Sequence, residues 1–147
     1  MEEKCLMVLY ILRSFCLFYL FLMPLAFPDA SETFEGNWFW EGKNGNFSLE
    51  LHQHGKKLTG VYCSIGDNGN RIDCSENPAD RNIKGEVHGN KAELIFSTFY
   101  GAGMGNTPED NLGKACIWFD RNGVLQWKVT QIPAHGLFWC PHRAVLT

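Results

Sequence analysis

The sequence predicts an all-β fold: an eight-stranded antiparallel up-and-down barrel, with a two-sheet β-sandwich as the alternative. Three observations carry this. Apolar residues recur at every second position through a series of short runs, the period of half-buried antiparallel strands. Turn-forming dipeptides that tolerate positive φ, Asn44-Gly45, Gly89-Asn90 and Asn122-Gly123, separate those runs, and His54-Gly55-Lys56 does the same. No window beyond residue 30 sustains the 3.6-residue period of an amphipathic helix.

In order, strands are expected near 34–41, 46–53, 57–64, 82–88, 91–98, 114–120, 124–130 and 138–146. Phe47, Leu49 and Leu51 alternate with Ser48, Glu50 and His52. Leu58, Gly60 and Tyr62 alternate with Thr59, Val61 and Cys63. Ile83, Gly85 and Val87 continue the pattern, as do Ala92, Leu94 and Phe96, then Ala115, Ile117 and Phe119, then Leu125, Trp127 and Val129. Most connections are short, which makes a meander, and closing a meander into a barrel removes its exposed edges. An eight-stranded barrel is just wide enough to fill its interior with side chains or to hold one small ligand.

The two ends of such a barrel differ. The tight turns at His54-Gly55, Gly89-Asn90 and Asn122-Gly123 fall at one end, and the long loops 65–81 and 99–113 share the other. Loops on a rigid scaffold are where binding concentrates, so the loop-rich end is the predicted functional end.

Residues 1–30 read as a signal peptide. An apolar run from Phe15 to Phe27 has the length of a secretory h-region and is short for a membrane span, with cleavage near 26–30. A retained N-terminal anchor is the alternative. The remaining 31–147, about 117 residues, make one β-barrel domain with one core. That domain holds 11 Lys and Arg against 13 Asp and Glu, a net charge of −2, so the basic stripe of a nucleic-acid binder is absent. Export is expected, to the periplasm or outside the cell, with no stable membrane span after cleavage.

Cysteine usage fits an oxidising compartment. Cys5 and Cys16 leave with the leader, and Cys63, Cys74, Cys116 and Cys140 remain, all expected at the loop-rich end, an even set that reads as two disulfides. Their spacings of 11, 42 and 24 do not suit a zinc site, and no metal is predicted. Cys63–Cys74 would close a loop of about 12 residues, stabilising by roughly 3 kcal/mol. Cys116–Cys140 is the remaining pairing. Their strands have one strand between them, on the order of 9–10 Å apart in a flat sheet, so the bond requires the sheet to fold over.

Short motifs resemble the avidin-like and lipocalin-like (calycin-type) barrels. Gly36-Asn37-Trp38 resembles the Gly-x-Trp start of those families. Leu58-Thr59-Gly60-Val61-Tyr62 looks like the avidin third strand, and Cys116-Ile117-Trp118-Phe119-Asp120-Arg121-Asn122-Gly123 like an avidin hairpin. The resemblance covers about a fifth of the chain. It implies the barrel architecture and would give the Tyr62 hydroxyl to the ring system of a bound biotin. Trp40 and Glu41 stand where the family's ureido-binding Asn would be expected, and the stapled loop is foreign to the pattern.

Two sets of candidate residues follow. Trp40, Phe47, Tyr62, Phe96, Trp127 and Trp139 would line an aromatic pocket, or simply fill the core. Asp67, Asn70 and Arg71 in the first long loop and Tyr100 at the start of the second would contact a partner. Trp118 faces away from the apolar set and, with Ile95, hints at an outer patch and self-association. His52 and His54 read as a solvated pair, and Gly101–Gly105 lies between strands rather than before a helix, so it is no phosphate loop. No catalytic constellation stands out, and neither an enzyme nor a cofactor is predicted. The expected function is an exported binding protein acting through the stapled loops, an inhibitor or immunity-type module with a protein partner in its compartment. The alternative is a carrier that binds a small apolar ligand in the barrel mouth.

Overall fold

A computed structural model describes residues 33–77, 79–99, 111–134 and 138–147. The predicted leader and Tyr100 lie outside them.

The described residues form nine antiparallel strands: β1 (Gly36–Gly42), β2 (Gly45–His54), β3 (Lys57–Gly66), β4 (Arg71–Asp73), β5 (Ile83–His88), β6 (Lys91–Ser97), β7 (Leu112–Phe119), β8 (Leu125–Gln131) and β9 (Arg143–Leu146). Eight follow one another in sequence order round a single sheet, β1-β2-β3-β5-β6-β7-β8-β9, and β4 pairs only with β3. The Phe39 and Thr147 backbones exchange both hydrogen bonds, at 2.9 and 3.0 Å, joining β1 to β9. The result is a nearly closed up-and-down barrel, as the alternating pattern predicts, and compatible with a calycin-type fold.

Three details depart from the sequence reading. The first long loop contains a strand of its own, β4. The last strand begins at Arg143, so 138–142 is not strand. Cys116 lies mid-strand in β7, level with Glu93 of β6 and Lys128 of β8, rather than at the loop-rich end.

The interior is packed with side chains. Phe47, Leu49, Leu51, Leu58, Tyr62, Ile83, Leu94, Phe96, Ile117, Leu125 and Trp127 are each essentially inaccessible. Gly60, Gly85 and Gly113 make room for them: a Cβ on Gly113 would fall 2.3 Å from the Phe96 ring. At the tight-turn end Phe34 plugs the barrel, stacking on Phe119 at 5.0 Å, while its carbonyl accepts from Trp38 Nε1 at 3.1 Å. Gly55, Gly89 and Gly123 adopt the positive φ that the turns there require. In the last of them, Asp120 Oδ1 accepts from the backbones of Asn122 and Val124.

At the upper half of β3 the ladder changes partners. β3 pairs with β5 only over Lys57–Gly60, and with β4 over Ser64–Gly66. Asn82 fills the gap between them. Its Oδ1 accepts from Tyr62 N at 3.2 Å, and its Nδ2 donates to Ser97 O at 2.8 Å. One amide thus replaces a missing piece of strand pairing, as the near-complete satisfaction of buried backbone groups demands. Asn82→Ala should cost about 1–3 kcal/mol, because it leaves a donor and an acceptor unpaired. Urea denaturation measures this, and an unchanged midpoint would contradict the bridging role.

Candidate functional site

The loop-rich end is organised by the hairpin between β3 and β4. Its strands pair in register, Ser64 with Asp73, Ile65 with Ile72 and Gly66 with Arg71. Between them Asp67, Asn68 and Gly69 have φ values of 51°, 54° and 94°, a run of left-handed residues that Asp, Asn and Gly tolerate better than any others. The Cys63–Cys74 disulfide staples the base of the hairpin. Its tip is tied to the β1–β2 turn by Asn68 N donating to Asn44 O at 3.0 Å. Trp139 lies across the glycine backbones at the same end. A Cβ on Gly66 would sit 2.3 Å from that indole, and one on Gly45 2.9 Å.

Beneath the hairpin is a buried polar cluster. Asp73 is completely inaccessible. Its Oδ2 accepts from the Tyr62 hydroxyl at 2.6 Å, and its Oδ1 accepts from Thr98 Oγ1 at 3.0 Å and from Phe99 N at 2.9 Å. A buried carboxylate is tolerated when donors surround it. These three donors come from the barrel wall and from the start of the second long loop, so Asp73 fastens the hairpin to both. Ser64 Oγ, opposite Asp73, is buried without a hydrogen-bond partner among the described residues. Burial, with Asp73 beside it, pushes the Tyr62 hydroxyl far above its ordinary pKa of 10.0.

The sequence-predicted pocket residues are brought together, largely as packing. The Phe47 ring lies 4.9 Å from Trp127 and 6.0 Å from Tyr62, while Phe96 is 5.8 Å from Tyr62 and 6.0 Å from Trp127. Trp127 Nε1 donates to Pro141 O at 2.9 Å. Trp40 is half-buried and packs against the edge of the core. With Trp118, Trp127, Arg143, Ala144 and Val145 it borders a cleft of about 370 Å3. The Tyr62 hydroxyl, which the avidin-like pattern would assign to a ligand, is donated to Asp73. Of the predicted contact residues, Asp67, Asn70 and Arg71 stand together and exposed on the hairpin, joined by Ile72, whose relative exposure is 51%.

The predicted Cys116–Cys140 disulfide is corrected. Both cysteines are free thiols. Cys116 belongs to the outward-facing set of β7, whereas Cys140 is buried near Asp73 and Tyr62, so the barrel wall separates them. Burial raises both thiols above their ordinary value. For Cys116 the nearby Lys91 and Lys128 pull the other way, and Glu93 adds to the rise. Trp118 lies on the outer face of β7, as its alternation predicts, and is half-buried there. His52 and His54 are both exposed, and His52 Nε2 lies 2.8 Å from Glu50 Oε1.

Asp73, Thr98, Asn82 and Ser64 were not legible as a site. Asp73 sits in a polar loop where a carboxylate reads as solvation. The alternation Ile72 outward, Asp73 inward is its only signal, and it becomes visible once β4 is known to pair with β3.

Comparison with protein family models, with curated proteins and with solved structures found no match to this chain. Among the described residues no helix is long and apolar enough to cross a membrane. The Cys63–Cys74 bond is of the kind that persists in oxidising compartments.

Two expectations follow. The Tyr62 hydroxyl is held protonated in the folded state, so its contribution to stability is whole below pH 10 and is lost as pH rises beyond the unfolded value. Wild type should therefore lose stability above pH 10 more steeply than Tyr62→Phe, as measured by thermal melts across pH 8–11. Equal slopes would contradict the assignment. In the native protein an alkylating reagent should modify Cys116 and spare Cys140 until the barrel unfolds, which mass mapping reads directly. Finding neither thiol free would restore the second disulfide.

Proposed function

We propose that the protein is an exported, non-catalytic binding module that engages a protein partner through the stapled hairpin, in the manner of an inhibitor or immunity-type protein. One observation carries the reading. The hairpin is fixed at its base by a disulfide, at its tip by the Asn68–Asn44 bond and from beneath by Asp73, yet Asp67, Asn68, Asn70, Arg71 and Ile72 on it are exposed. A segment already ordered before binding loses little entropy on association, which favours insertion into a partner's cleft. Ile72 supplies an aliphatic anchor, and Arg71 and Asp67 supply the polar rim typical of a protein contact. The packed interior favours this reading over a ligand held inside the barrel, since Phe47, Tyr62, Phe96 and Trp127 occupy that space themselves. The leader-like residues 1–30 and the disulfide support export.

A small apolar ligand is the second reading, and the cleft beside Trp40, Trp118 and Trp127 favours it, because about 370 Å3 falls in the range of small-molecule sites. Native mass spectrometry of the protein gently isolated from its own compartment separates the two. A co-purifying protein that is lost in Arg71→Ala/Ile72→Asp, with thermal stability unchanged, supports the hairpin reading. A bound mass below about 1 kDa that is lost in Trp40→Ala but kept in the hairpin variant overturns it in favour of the cleft.

A further inference from the structure

The barrel wall has a seam. Among the described residues β1 and β9 meet through the Phe39–Thr147 pair, and no ladder joins them on the loop-rich side of it. The cleft of about 370 Å3 lies there, and its lining comes from both faces of the wall. Trp40, Trp127 and Ala144 belong to the inward sets of β1, β8 and β9. Trp118, Gln126, Arg143 and Val145 belong to the outward sets of β7, β8 and β9. Two half-buried indoles, Trp40 and Trp118, give the cleft aromatic walls, with Val145 exposed at its edge. Gly42 lets the first indole lie against the β1 backbone, since a Cβ there would fall 2.3 Å from the Trp40 ring.

Arg143 is the one charged residue of the lining, and no carboxylate borders the cleft. Its side chain is exposed, and its guanidinium has neither an ion pair nor a hydrogen bond among the described residues. The β8–β9 register sets Lys128 directly opposite it. Two cations facing each other across a ladder, with Cβ atoms about 4.5–5.5 Å apart, repel and destabilise the pair. An anion between them turns that repulsion into two attractions. Lys91, opposite Trp118, adds a third base to the surroundings. The acids of the surroundings are engaged or stand off. Asp120 accepts from the backbones of its own turn and from Gln126 Nε2. Glu93 is two strands from Lys128, and Glu41 lies on the outer face of β1 across the seam. Neither pairs with Arg143 or Lys128.

We propose that the seam cleft binds a small aromatic carboxylate. Its ring lies against the indoles of Trp40 and Trp118, and its carboxylate meets the Arg143 guanidinium with Lys128 beside it. Each part of the ligand answers a part of the site. Aromatic walls favour a flat ring over a flexible chain. A guanidinium offers two parallel donors, the geometry that a carboxylate accepts. A cationic ligand would meet two bases and be repelled, and an uncharged one would leave those bases facing each other. A volume of about 370 Å3 is at the lower end of small-molecule sites, with room for one or two rings. The site rests on the cleft reading above and owes nothing to the hairpin.

The indole N–H resonances of the isotope-labelled protein test this directly. Naphthylacetate should shift those of Trp40 and Trp118, with a dissociation constant of about 1 mM or below. Trp38, whose Nε1 donates to Phe34 O at the tight-turn end, should stay in place. Arg143→Gln should weaken binding at least about fivefold, and Lys128→Gln should weaken it less. Naphthylacetamide, the uncharged analogue, should bind wild type at least about fivefold more weakly and should not distinguish it from Arg143→Gln. Trp118→Leu should weaken both ligands. No indole shift at ~10 mM naphthylacetate overturns the site, and shifts that spare Trp40 and Trp118 overturn its location. Equal binding of acid and amide, or wild-type affinity in Arg143→Gln, overturns the anionic class and leaves an apolar cleft. Circular dichroism of each variant confirms that its barrel is intact.

Discussion

The hydrogen bonds to Asp73 hold together the part of this molecule that is not simple barrel. Its carboxyl group has no contact with water, and each of its oxygens is spoken for: one by the Tyr62 hydroxyl, the other by Thr98 and the Phe99 amide. Burying such a group without donors would cost several kcal/mol. With them, the same group becomes a three-way junction between the wall at β3, the hairpin that ends at β4 and the loop that follows β6. Remove the junction and the hairpin keeps its disulfide at the base and the Asn68–Asn44 bond at the tip, but nothing fastens its underside.

That junction also explains how the interior is divided. Below Tyr62 the barrel is filled by aliphatic and aromatic side chains in mutual contact, as an eight-stranded barrel of small radius tends to be. Above it the packing turns polar, with Ser64, Asp73 and Thr98 buried together and the Cys140 thiol close by. Trp139, resting on Gly45 and Gly66, covers this end. Among the described residues the hairpin keeps Asp67, Asn70, Arg71 and Ile72 exposed beyond this cover. The hairpin presents a few fixed side chains on a backbone that has already lost its freedom, suited to a cleft.

The alternation of apolar residues, the positions of the turns and the sidedness of the loops were legible in the sequence, because each is a local consequence of strand geometry: side chains alternate, and tight turns need residues that accept positive φ. The Cys63–Cys74 bond was legible for the same reason, being short in sequence and closed within one hairpin. Everything that depends on which strands neighbour one another at a given height was decided by the tertiary structure. Sequence spacing could not say that Cys116 and Cys140 lie on opposite sides of the wall, since a period of two assigns faces only where a strand is continuous, and the chain before β9 is not strand. Nor could it find Asp73, whose burial follows from β4 pairing with β3, or Asn82, whose amide stands in for backbone partners that neither strand carries. Local periodicity determined the barrel. Long-range register determined which polar groups it buries, which it exposes, and therefore where it can bind.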